Sequence, residues 1–187
     1  MIQTLWLLAA APAALAWPAL RQAIESRMSL HMLLELPLLF AAGWAAHSLV
    51  RRRATLRRGL RSGEWLDWRG WSGAIYASLV AAAWMLPSAL DAALMSRAVE
   101  LAKLASCWLA GFWLAASWRR MDDEVALFCV GNIAWMAATA GMLYQQLPQT
   151  LCVNYLRDDQ GEAGVGLVLL ALALGAVAIR RAIRAGR

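Results

Sequence analysis

Ser29-Leu-His-Met-Leu-Leu-Glu-Leu-Pro-Leu-Leu-Phe-Ala-Ala-Gly-Trp-Ala-Ala-His-Ser-Leu-Val50 carries one charge, Glu35, and is followed at once by Arg51, Arg52 and Arg53. As a helix this stretch is about 33 Å long at 1.5 Å per residue. That matches a bilayer hydrocarbon core about 30 Å thick. Further apolar runs cover Thr4–Leu20, Trp71–Leu90, Leu101–Trp118, Val125–Tyr144 and Ala163–Ile179. The chain of 187 residues is 61% hydrophobic and 16% charged, whereas a soluble domain carries about a quarter charged residues. These numbers exclude an ordinary soluble enzyme. They predict an all-α, polytopic integral membrane helical bundle of about six transmembrane helices, one domain over positions 1–187. The count is five if Thr4–Leu20 is a secretory signal cleaved after Ala14-Leu15-Ala16. That first run lacks the positive n-region such signals carry, which favours a retained helix.

Charge sets the expected orientation. Six arginines lie between positions 51 and 61, two at 119 and 120, and four between 180 and 187. All three clusters fall on one side if each run crosses once, and the positive-inside rule makes that side, with the C-terminus, cytoplasmic in a bacterial inner membrane. Because the arginines alternate with apolar runs, the expected partner is the lipid bilayer and not nucleic acid. Trp65, Trp68 and Trp71, spaced by three after the first cluster, read as an aromatic belt at the inner headgroup layer. Gly111, Gly131 and Gly141 are positions where helices can approach closely in lipid. Cys107 and Cys129 lie inside apolar runs and are expected to be buried thiols; Cys152 falls in an outer loop, so no disulfide framework is expected.

No phosphate loop, nucleophile elbow or zinc-type cysteine pair occurs, and no nucleophile, base and orienting group share a spacing that would bring them together, so no enzyme is expected. The chemistry concentrates at Met28-Ser-Leu-His31-Met32-Leu-Leu-Glu35. Positions 28, 31, 32 and 35 share one helical face. Thioether and imidazole suit Cu(I), and ionisable groups inside a membrane segment are functional candidates by default. Met28, His31 and Met32 are therefore the candidate metal ligands, with Glu35 one turn deeper. His47 lies about 24 Å further along the same helix and cannot join them.

Trp84-Met-Leu-Pro87-Ser-Ala-Leu-Asp91-Ala-Ala-Leu94 resembles the Trp-x-x-Pro-x-x-x-Asp segment of CtaG-like cytochrome c oxidase assembly factors, polytopic membrane proteins implicated in supplying copper to haem–copper oxidases. The His31-Met32 run with Pro37 and Gly43 is similar to that family's His-Met-rich helix. Asp159-Gln160-Gly-Glu-Ala163-Gly164 is similar to its Asp-Gln-x-x-Ala-Gly segment. The three stand in family order over roughly positions 28 to 170. The resemblance implies a protein that assists cytochrome c oxidase assembly by handling Cu(I) at the outer membrane face, with a haem–copper oxidase or another membrane complex subunit as partner. It also implies that Glu35, Asp91, Asp159 and Gln160 form a supporting polar cluster around Met28, His31 and Met32. The departures are specific. Where the family has a histidine and then a Glu-His pair, this chain has Glu100 and then Lys103-Leu104, and Arg27 stands one turn before His31 in place of a histidine. Glu100 and Lys103 are spaced as an i,i+3 ion pair. The lost histidines point to an alternative, a structural accessory subunit of a respiratory or redox complex without its own metal. A small transporter is a third reading, weakened by the shortage of paired intramembrane charges.

Overall fold

The computed structural model describes residues 2–52, 67–146 and 157–185, and all regular structure among them is helical. Three short helices come first, α1 (Ile2–Ala9), α2 (Ala11–Leu15) and α3 (Pro18–Glu25). Pro12 and Pro18 sit in the first turns of α2 and α3, where a missing N–H costs nothing but the preceding helix cannot continue. The first apolar run is thus chopped into pieces of eight, five and eight residues. It packs alongside the long helix α4 (Met28–Arg52), with α1 against the Leu36–Arg52 part and α3 against the start.

Next come α5 (Trp71–Trp84), α6 (Pro87–Met95), α7 (Arg97–Ser117), α8 (Asp123–Gln146) and α9 (Arg157–Ala185). The run expected as one helix over 71–90 is broken. Pro87 opens α6 and holds Leu86 extended (φ −76°, ψ 129°), as the residue before a proline prefers. The segment Trp68–Trp84 meets α6 at 74°. Asp91, just past the end of that expected run, lies on α6.

Among the described residues, four helices are long and apolar enough to cross a membrane, α4, α7, α8 and α9, or five if the bent α5–α6 pair is one span. The expected count of about six is therefore reached only to four or five, because the proline-broken first run forms no helix of spanning length. The apolar surface is compatible with a lipid environment: the Asp159–Ile183 window has mean hydropathy 2.2, yet only 22% of it is buried within the protein. Leu169, Leu172, Val177 and Ile179 point outward, the pattern of a helix that is hydrophobic all round.

Helix contacts are made by small residues, as expected without a hydrophobic drive inside lipid. A Cβ on Gly43 would lie 1.9 Å from the Trp108 carbonyl oxygen, and one on Gly111 would lie 2.0 Å from that of Phe40, so α4 and α7 cross backbone to backbone. Gly141 and Gly164 do the same for α8 and α9. Gly131 has nothing within 4 Å and serves no close approach.

Arg51, Arg52, Arg119 and Arg120, with Arg180 and Arg181, gather at one end of the bundle. There Asp67 pairs with Arg120 (2.6 Å), Arg69 with Asp122, and Arg181 with Asp123 (2.9 Å). Trp68 is exposed and Trp71 packs on Phe128. The expectations for Arg53, Arg57, Arg58, Arg61, Trp65, Cys152, the Arg184 side chain and Arg187 lie outside the described residues.

Candidate functional site

At the opposite end α3, α4 and α7 meet around one buried ammonium. The local backbone sets this up. Helix α4 contains a π-turn over His31–Glu35, closed by a bond from the Leu36 N–H to the His31 carbonyl. Such turns insert a residue into the helical repeat and recur at functional sites. His31 and Glu35 both face α7, with Nε2 and Oε2 3.7 Å apart. Lys103, on α7, is fully buried. Its Nζ lies 2.7 Å from Glu35 Oε1, 2.9 Å from Glu25 Oε1 and 3.1 Å from His31 Nε2.

An ammonium has three hydrogens and no acceptor, and here each hydrogen meets an acceptor. Nε2 of His31 therefore accepts, which assigns the neutral imidazole with its proton on Nδ1. The network continues outward. Arg21 donates from Nε to Glu25 Oε2 (2.6 Å) and reaches Glu100 Oε2 (2.8 Å), which also binds Arg97 (2.7 Å). Side-chain exposure rises along the chain of cations, from 0% at Lys103 through 23% at Arg21 to 56% at Arg97. Three cations thus face three carboxylates, Glu25, Glu35 and Glu100. Buried charges are tolerable only when paired in this way. Glu35 Oε2 alone among these atoms is buried with no hydrogen-bond partner among the described residues.

The expected i,i+3 pairing of Glu100 with Lys103 does not form. Lys103 turns to Glu25 and Glu35 on other helices, and Glu100 takes Arg21 and Arg97. Burial explains it, because a lysine with no exposed surface needs several acceptors and one carboxylate cannot supply them.

The candidate ligands separate by chemistry. Met28 and Met32 belong to an apolar cluster with Leu90, Tyr144, Ala163 and Leu167, whereas His31 joins the lysine network. Glu25, His31 and Glu35 present ligand atoms within 4.8 Å of one another, a possible metal triad. The space between them holds the Lys103 ammonium. Its 2.7–3.1 Å separations are hydrogen-bond lengths, longer than the roughly 2.0–2.2 Å of nitrogen and oxygen ligands on a metal such as zinc. With Lys103 in place, these residues do not fit a resident copper ion. Glu25 was not among the sequence candidates; its only signal was an acidic residue one turn before the apolar run.

The remaining candidates hold the scaffold. Asp159 accepts from the backbone N–H of Met28 and of Ser29 (3.3 Å) and from the Ser29 hydroxyl (2.6 Å), capping α4. Gln160 donates to the Tyr144 carbonyl (3.1 Å), and the Tyr144 hydroxyl donates to the Met85 carbonyl (3.0 Å). Asp91 is half-buried on α6, one residue past Leu90 of the methionine cluster. Segments around 28–35, 84–94 and 159–167 therefore meet at one end of the bundle. His47 lies at the arginine-rich end against Phe112, with ring centroids 5.2 Å apart. Cys107 and Cys129 are buried free thiols.

Compared with known proteins, the chain matches no family model, no curated protein and no solved structure.

Proposed function

We propose that this chain is a multi-pass bacterial inner-membrane protein of the CtaG-like kind. It assists cytochrome c oxidase assembly by packing against a subunit of the complex, and it carries no copper of its own. The observation behind the metal-free part is the fully buried Lys103 ammonium, whose three hydrogens meet Glu25, Glu35 and His31. It supplies the positive charge that a metal ion would otherwise bring to these acceptors. Support for the family reading comes from the three resembling segments, which contribute Met28, Leu90 and Ala163 to one apolar cluster. In this reading the broken α1–α3 run, lying along α4, is the sixth crossing, and the arginine-rich end with the C-terminus faces the cytoplasm.

Copper handling remains the second reading, favoured by the Glu25–His31–Glu35 triad; it requires the Lys103 ammonium to leave. One complementation experiment separates the two. His31→Gln keeps an acceptor for Lys103 and removes the imidazole. Cells lacking the chain should assemble less haem–copper oxidase, and His31→Gln should restore it. Normal oxidase in cells lacking the chain overturns the assembly role. A well-expressed His31→Gln protein that fails to complement overturns the metal-free role.

A further inference from the structure

One to two turns beyond the Gly43–Gly111 crossing, a cavity of about 320 Å³ opens between α4 and the end of α7. Arg51 and Arg52 line it from one side and Arg119 from the other, and Trp44, His47, Ser48 and Trp118 complete the wall. The two indoles meet edge to face at 5.7 Å. Among the described residues, no carboxylate lines the cavity. The neighbouring Asp67, Asp122 and Asp123 are engaged by Arg120, Arg69 and Arg181. Among the described residues, Arg51, Arg52 and Arg119 have no ion-pair partner, and all three are exposed.

Three unneutralised guanidinium groups around one recess repel one another and favour an anion. Guanidinium offers paired N–H groups that match phosphate oxygens. Tryptophan rings prefer the headgroup layer, and basic pockets between membrane helices suit phospholipid headgroups. We infer that this cavity binds the phosphodiester of an anionic phospholipid, with the phosphate held by Arg51, Arg52 and Arg119 and the acyl chains remaining in the bilayer. The inference needs only the membrane location and is independent of any oxidase.

The test uses the full chain in nanodiscs of phosphatidylcholine containing a minority of phosphatidylglycerol. After mild detergent extraction, native mass spectrometry counts the phosphatidylglycerol retained. Wild type should retain it. Arg51→Gln, Arg52→Gln and Arg119→Gln should each weaken retention about fivefold, the equivalent of about 1 kcal/mol per arginine near an anionic surface. Arg180→Gln, at the same end but outside the cavity, should leave it unchanged. Equal losses in all four variants would mean diffuse attraction and overturn the site, as would full retention in the triple variant. Inorganic phosphate titrated into lipid-free protein should bind far more weakly. If it binds as tightly as the lipid, the phospholipid assignment is wrong.

Discussion

Replacing Lys103 by methionine keeps the length of the side chain and removes the charge. The buried network then holds Arg21 and Arg97 against Glu25, Glu35 and Glu100, an excess of one negative charge. Glu35 is worst placed, because its Oε1 loses its 2.7 Å partner and its Oε2 already has none among the described residues. Removing one partner of a buried ion pair costs about 3–5 kcal/mol, and Lys103 serves three acceptors, so Lys103→Met should fall at the upper end of that range. Reversible unfolding in mixed dodecylmaltoside–SDS micelles measures it. Glu35→Gln should destabilise as well, by leaving the ammonium short of a carboxylate. The double variant should recover at least about 2 kcal/mol of the sum, as expected for directly coupled groups. Additive losses, or a Lys103→Met protein within about 1 kcal/mol of wild type, would show that the ammonium is not held as described.

Three other outcomes follow from the same geometry. Lys103→Ala empties the space between Glu25, His31 and Glu35, so this variant should bind Co(II) with tetrahedral visible absorption bands while wild type shows none. Asp159→Ala removes the cap at Met28 and Ser29 and should cost about 1 kcal/mol in the same micelle assay; an unchanged midpoint would dismiss the cap. Outside the membrane, burial pushes the Asp67 carboxyl up, but hydrogen bonds from Ser72 (2.6 Å) and Arg120 (2.6 Å) outweigh it and hold the group below the usual carboxylate range. Its contribution is therefore present above the unfolded value of about 3.9 and is lost as pH falls through the lower folded one. Asp67→Asn should flatten the acid limb of stability below about pH 4, and an identical limb in both proteins would refute this.

The bundle was legible where single-segment physics decides it. The 22 residues of Ser29–Val50 are long enough to span, and the described arginines of the three clusters do collect at one end. Pro12, Pro18 and Pro87 were visible too, yet an apolar run counts as one span by composition, while each proline ends a helix locally. The site was half legible. His31 and Glu35 stood out as ionisable groups in an apolar helix, but their shared partner Lys103 lies 72 positions from His31, and Glu25, which also binds it, lies 78 positions from Lys103. Local spacing offered Glu100 as the partner of Lys103, and nothing local reveals that Lys103 is buried. The methionines looked like ligands because they share a helical face with His31, and only packing assigns them to the apolar cluster with Leu90 and Leu167.

In the reading proposed above, Lys103 takes the place of a metal ion at Glu25, His31 and Glu35. Copper content of the purified protein after anaerobic Cu(I) loading and desalting tests it most directly, with His31→Gln and Lys103→Ala measured beside it. Neither wild type nor His31→Gln should retain copper. One copper per wild-type chain, lost in His31→Gln, would contradict it.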